Sequence, residues 1–105
     1  MFEDILTARA EADIVGAYRY HRGRSPTTAG PWLSHLLART RTPDSNPERC
    51  GIADESGRSR VEIRELLVGR KRGTLRVLFV IRGSVVSVLH VRRATRGPIP
   101  DDELP

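Results

Sequence analysis

The amino-acid sequence opens with a short stretch, Phe2 to Leu6, apolar at its ends and centre, which predicts an edge strand. Thr7 then stands where a helix N-cap is needed. Ala10, Ile14, Ala17, Tyr18 and His21 recur at helical spacing, so one apolar stripe is expected on a helix from about Ala8 to Arg22, ended by Gly23. Two starts are open for a second helix. Ser25-Pro26 offers a serine cap with proline in the first turn. Thr28 offers a later cap, which would put Pro31 at the third helical position, where no intrahelical N–H is lost. The later start is preferred, because a helix from Pro26 would carry Pro31 in its interior. Trp32, Leu33, Leu36 and Leu37 form its expected buried face, ending near Thr40, and the short connection makes an antiparallel helical hairpin.

Thr42 to Ser59 has no periodicity and is rich in proline, glycine, serine and acids, which predicts a loop. Three stretches rich in β-branched residues follow, Val61 to Val68, Thr74 to Ile81 and Val85 to Val91, and read as strands. Gly69 to Gly73 and Gly83-Ser84 are the turns between them. A two-residue turn with glycine first is a type II′ signature, so Arg82 should oppose Val85. In that register Leu75, Val77, Phe79 and Ile81 share a face with Val86, Val88 and His90, and the helices should cover it. The reverse face would carry Arg76, Leu78, Val80 and Arg82 with Ser87, Leu89, Val91 and Arg93. A three-residue turn would instead bring His90 to the Arg76 side. The expected class is α+β: an N-terminal strand and a two-helix hairpin packed on a mainly antiparallel sheet.

Length and composition fit one domain, with 105 residues and 38% hydrophobic side chains. Residues 1–96 read as that domain and 97–105 as a proline-rich acidic tail, expected to be flexible or to fold back over an arginine-rich face. The longest apolar run, Val77 to Ile81, is far too short to span a membrane. Glu3, Asp4, Glu11 and Asp13 interrupt any N-terminal signal, so a cytoplasmic protein is expected. Cys50 is the single cysteine and has no partner for an internal disulfide. Cys50, His21, His35 and His90 lack zinc-ligand spacing, so neither a metal nor a cofactor is expected.

The net charge of +5 is unevenly placed. Residues 58–96 hold 11 basic and 2 acidic side chains, whereas the preceding part is nearly neutral and the tail adds Asp101, Asp102 and Glu103. A basic half of this kind attracts nucleic acid or an acidic protein, although arginines also serve simply to solvate a sheet face. Arg64, between Glu62 and Glu65, has salt bridges as its plain reading.

Several segments, in this order and spacing, carry a family resemblance. They are Ala10-Glu11-Ala12-Asp13-Ile14, then Ser25-Pro26 with Ala29 and Trp32, then Pro47-Glu48-Arg49-Cys50, then Glu62 to Gly69. Leu75-Arg76-Val77-Leu78-Phe79 follows, and last Val86, Val88, Leu89, His90, Val91, Arg92 and Arg93. Together they resemble the RelE/ParE superfamily of toxins from bacterial type II toxin–antitoxin systems, over nearly the whole chain. The resemblance implies a growth-inhibiting toxin neutralised by a cognate antitoxin in a hetero-oligomer. The leading expectation for its action is cleavage of ribosome-bound mRNA by a metal-independent endoribonuclease, and the alternative is DNA gyrase, poisoned by binding without catalysis. For the endoribonuclease, Arg76 matches a catalytic arginine of the family, with Arg93 as its partner and His90 as the candidate acid–base group. Arg64, Lys71, Arg92 and Arg96 would then contact nucleic acid. This chain lacks the C-terminal tyrosine or histidine that several mRNA-cleaving members carry after the last strand. A third reading, outside the toxins, is a small basic nucleic-acid-binding protein, set back by the few aromatic residues available for base stacking.

Overall fold

A computed structural model describes residues 2–40, 46–69 and 73–105. Thr7 does cap the first helix: its Oγ1 accepts from the Ala10 amide at 3.2 Å and donates to the Val88 carbonyl at 2.8 Å. The same hydroxyl therefore ends strand β1 (Glu3–Leu6), starts α1 (Ala8–Arg24) and ties both to the last strand. α1 runs through Gly23 and ends where the Ser25 amide donates to the His21 carbonyl. α2 spans Pro26–Thr40, starting two residues before Thr28, so Pro31 lies inside the helix. Thr28 Oγ1 donates to Ser25 Oγ at 2.7 Å and so braces the first turn instead of capping it. Ala29 and Leu36 are buried, Trp32 and Leu33 half-buried, and Leu37 exposed.

The remaining strands are β2 (Gly51–Ile52), β3 (Arg64–Val68), β4 (Leu75–Arg82) and β5 (Val85–Arg93). The five strands lie in the order β1-β5-β4-β3-β2, with β1 parallel to β5 and every other pair antiparallel. This is the expected α+β arrangement of two helices on a mainly antiparallel sheet. Two differences separate it from the sequence reading: a short strand, β2, emerges from the segment read as loop, and β3 is shorter than expected, starting at Arg64 rather than Val61.

The Gly83-Ser84 turn sets Arg82 opposite Val85, with Gly83 at φ +60°, where a glycine is favoured. Farther along, the ladder changes. Leu78 pairs with His90 but Phe79 pairs with Val88, so Leu89 is a bulge with no opposite residue. One extra residue inverts the alternation of every side chain beyond it. Val91 therefore joins the helix-side core with Val77 and Phe79, while Arg92 opposes Arg76 and Arg93 opposes Leu75.

Both faces of the sheet are covered. On one side Ala10, Ile14 and Leu36 of the helices pack on Val77, Phe79, Val86 and Val88. On the other, Ala53, Ile63 and Ile99 close over Leu78 and Val80, with Val61, Leu89 and Leu104 around them. The C-terminal segment, read as either flexible or folded back, is thus seated on the reverse face. Ile99 is only 1% exposed, Arg58 donates to the Ile99 carbonyl and pairs with Asp101, and Ser59 Oγ donates to Pro105. Three apolar side chains on the reverse face needed cover, and Ile99 and Leu104 supply part of it. Among the described residues no helix is long and apolar enough to cross a membrane.

Candidate functional site

Arg76 projects from β4 on the reverse face, where the backbone places Glu55 and Glu65 beside it. Nη1 and Nη2 donate to the two Glu55 oxygens at 2.8 and 2.5 Å, and Nε donates to Glu65 Oε1 at 2.8 Å. Glu55 comes from the short 3-10 turn Asp54–Arg58, has a fully buried side chain, and also accepts from the Ile99 amide at 3.0 Å. The Arg76 hydrogen bonds, with the Ile99 amide adding to them, hold the Glu55 carboxyl at about 2 against the opposing effect of burial; its ordinary value is 4.5. The Arg76 guanidinium is raised in turn, chiefly by its bonds to Glu55. Each of its three nitrogens already serves a carboxylate, so this arginine holds the sheet to the loop and the tail.

Arg93 lies across the sheet from it. Because of the bulge, Arg93 shares the helix side with Leu75, and its guanidinium sits 4.7 Å from the centroid of the Tyr20 ring. The expected pairing of Arg76 with Arg93 on one phosphate is therefore overturned. His90 also differs from the expected register: the turn keeps two residues, yet His90 opposes Leu78 on the Arg76 side. It is buried there, with Nε2 3.1 Å from the Glu103 carbonyl and Nδ1 3.8 Å from Asp13 Oδ2.

Two more of the expected nucleic-acid contacts are engaged internally. Arg64 donates to the carbonyls of Glu48 and Cys50 and pairs with Glu62. Arg92 donates to the carbonyls of Gly97, Arg96 and Pro98, fastening the turn into the tail. Lys71 lies outside the described residues. Arg96 is exposed and its side chain points to no carboxylate among the described residues.

Arg93 and Arg96 instead border a groove of about 780 Å³ between α1 and the end of β5. Ala12, Gly16 and Ala17 make one wall of α1, and Leu75 and Val91 line the groove from the sheet. Tyr20, His21 and Trp32 line its helical end, His21 stacked on Trp32 with centroids 4.9 Å apart and planes 17° from parallel. The one carboxylate among the described lining residues, Asp13, is taken by Arg9 and by the Val91 amide. Arg24 donates to the Tyr20 hydroxyl at 2.7 Å, and this bond lowers the phenol from its ordinary value, with Arg93 adding to the effect. Tyr20, Arg24 and Trp32 were not legible as a site in the sequence. The available signal was the run Tyr20-His21-Arg22 and Arg24 at the end of an amphipathic helix, aromatic and basic residues interleaved.

No family model and no curated protein sequence matches the chain. In three dimensions it is similar to a chain of the solved structure of the chromosomal ParDE TA system from P. aeruginosa, with a TM-score of 0.70. The likeness covers 89% of this chain and 96% of that one, at 18% sequence identity. What the two share at that identity is backbone architecture, and the fold of this protein is accordingly a ParE/RelE-like fold.

Proposed function

We propose that the protein is the toxin of a type II toxin–antitoxin module, neutralised by a cognate antitoxin, and that it acts by binding a target in the manner of a gyrase poison. The toxin reading is supported by the sequence segments that resemble the superfamily and by a fold in common with a chain of a ParDE TA system. The choice between mechanisms rests on one observation, the engagement of every Arg76 nitrogen by Glu55 or Glu65. Metal-free cleavage of RNA needs a base for the 2′ proton, a cation on the phosphate and an acid for the leaving oxygen, all converging on one point. Here all three Arg76 nitrogens are engaged by carboxylates and its side chain is 12% exposed, Arg93 is on the opposite face, and His90 is 5% exposed beneath Glu103. Target binding without catalysis asks for no such convergence. Fold alone does not choose a mechanism; the side chains do.

A brief pulse of expression in bacteria tests both levels of this reading. Growth arrest with intact transcripts in primer extension and induction of the SOS response is the expected result, relieved by co-expression of the antitoxin encoded beside it. Transcripts cut within codons together with a stop in translation would establish the ribonuclease reading instead. Normal growth at full expression would remove the toxin reading.

A further inference from the structure

We infer that the end of α1, together with the end of β5, is the surface that grips the target, and that what it fits is an acidic protein face. The inference rests on the reading of the protein as a toxin that acts by binding, and names the contact that this reading leaves open. Three observations combine. First, charge is one-sided here. From Ile14 to Arg24 the helix carries Arg19, Arg22 and Arg24, all exposed, and no carboxylate; the next acid in the sequence is Asp44. Second, guanidiniums are held ready over aromatic rings. Arg22 lies 5.8 Å from the centroid of Tyr18, Arg24 lies 5.6 Å from that of Tyr20, and Arg93 reaches the same Tyr20 ring from β5 at 4.7 Å. Arg24 also donates to the Tyr20 hydroxyl, and Tyr20 is 49% exposed. An arginine stacked in this way has given up rotamer freedom before a partner arrives, so less is lost on binding. Third, Tyr20, His21, Arg24, Ser25 and Arg93 line a notch of about 340 Å³ with no carboxylate among them. Tyr20, His21 and Arg93 belong also to the larger groove, whose α1 wall of Ala12, Gly16 and Ala17 is apolar.

Arg22 and Arg24 have a plain role at the C-terminal end of a helix, where positive charge offsets the dipole. That role does not account for Arg93, which comes from another element, nor for an exposed tyrosine where the two elements meet. Tyrosine and arginine gathered on a surface are the side chains that dominate protein–protein hot spots. Nucleic acid would answer the same charges, but single strands stack their bases on open ring faces, and here guanidiniums lie over Tyr18 and Tyr20. An acidic protein face supplies carboxylates for the notch and apolar side chains for the adjoining wall.

Purified DNA gyrase is the probe, with binding read by biolayer interferometry and growth followed after induction. Binding by the parent should weaken as salt rises. Arg24→Gln/Arg93→Gln should weaken gyrase binding about tenfold or more and relieve the growth arrest, with a melting temperature close to that of the parent. Arg60→Gln/Arg82→Gln removes the same charge at exposed positions on other elements and should bind and arrest like the parent. If the parent arrests growth and binds gyrase and Arg24→Gln/Arg93→Gln does both equally well, the inference is overturned and the toxin reading stands. Equal weakening in the two double variants would also overturn it, by reducing the contact to diffuse attraction. So would saturable binding of hexauridylate that Arg24→Gln/Arg93→Gln abolishes, which would assign the surface to nucleic acid. Arrest that this variant keeps, but that the antitoxin no longer relieves, would assign the surface to the antitoxin and overturn the inference too. A parent that neither arrests growth nor binds gyrase would remove the toxin reading itself, and the inference with it.

Discussion

Replacing Arg76 by methionine would leave the Glu55 carboxylate in a fully buried position with backbone amides, those of Ile99 and of Glu55 itself, as its remaining hydrogen-bond donors. The size of the resulting loss follows from two directions. Each decade in acid dissociation corresponds to about 1.4 kcal/mol, so a carboxyl held at about 2 instead of 4.5 reflects roughly 3 kcal/mol of differential stabilisation of its charged form. Removing one partner of a buried pair costs about 3–5 kcal/mol in general. Glu65 adds little, being about a quarter exposed and free to rehydrate. A loss of about 3 kcal/mol is a large part of the ~5–15 kcal/mol that holds a domain of this size together, and should lower its melting temperature by roughly 12–20 °C. In Arg76→Met/Glu55→Gln no charge is left stranded, and the amide oxygen can still accept from Ile99. Most of the loss should therefore be recovered. Circular dichroism melts at neutral pH measure the stability, and growth after induction measures the activity. The expected pattern is an unstable single variant and a double variant that melts and arrests growth nearly like the parent. A single variant that melts within a degree or two of the parent, yet no longer arrests growth, would refute the structural role and return Arg76 to the target-contacting surface.

The same pair sets a dependence on acid. The unfolded Glu55 carboxyl takes up its proton near 4.5 and the folded one only near 2, so its contribution is complete above 4.5 and disappears as pH falls to about 2. Urea midpoints should drop across that window, and Glu55→Gln should flatten the drop; parallel profiles for the two proteins would contradict the assignment. The seated C-terminal segment gives another test. Ile99→Ala should cost about 2–5 kcal/mol, read from denaturant unfolding, because Ile99 fills a closed site over Leu78 and Val80. Truncation after Arg96 should cost at least as much, and a truncated chain as stable as the parent would show that the segment contributes nothing to the reverse-face core.

What the amino-acid sequence determined by itself is the set of features coded within a few residues. Thr7 had to cap a helix, because its hydroxyl reaches the amide three residues on. Gly83-Ser84 had to make a tight hairpin, because glycine alone takes φ +60° without strain, and with it came the pairing of Arg82 with Val85. The apolar stripe of α1 and the alternating faces of β4 then dictated helices on a sheet. The tertiary structure decided the features that depend on residues far apart. A bulge at Leu89 has no local signature, since leucine suits a regular strand equally well, yet it moved Arg93 to Tyr20 and His90 to the reverse face. Arg76 is separated from Glu55 by 21 positions, and nothing near either residue announces the pair. Prolines and acids around Ile99 and Leu104 left the tail open between a flexible and a folded-back state, and a half-covered sheet face with room for both side chains decided it. Backbone preference acts locally and can be read along the chain. Burial and charge pairing are settled only when distant segments compete for the same surface.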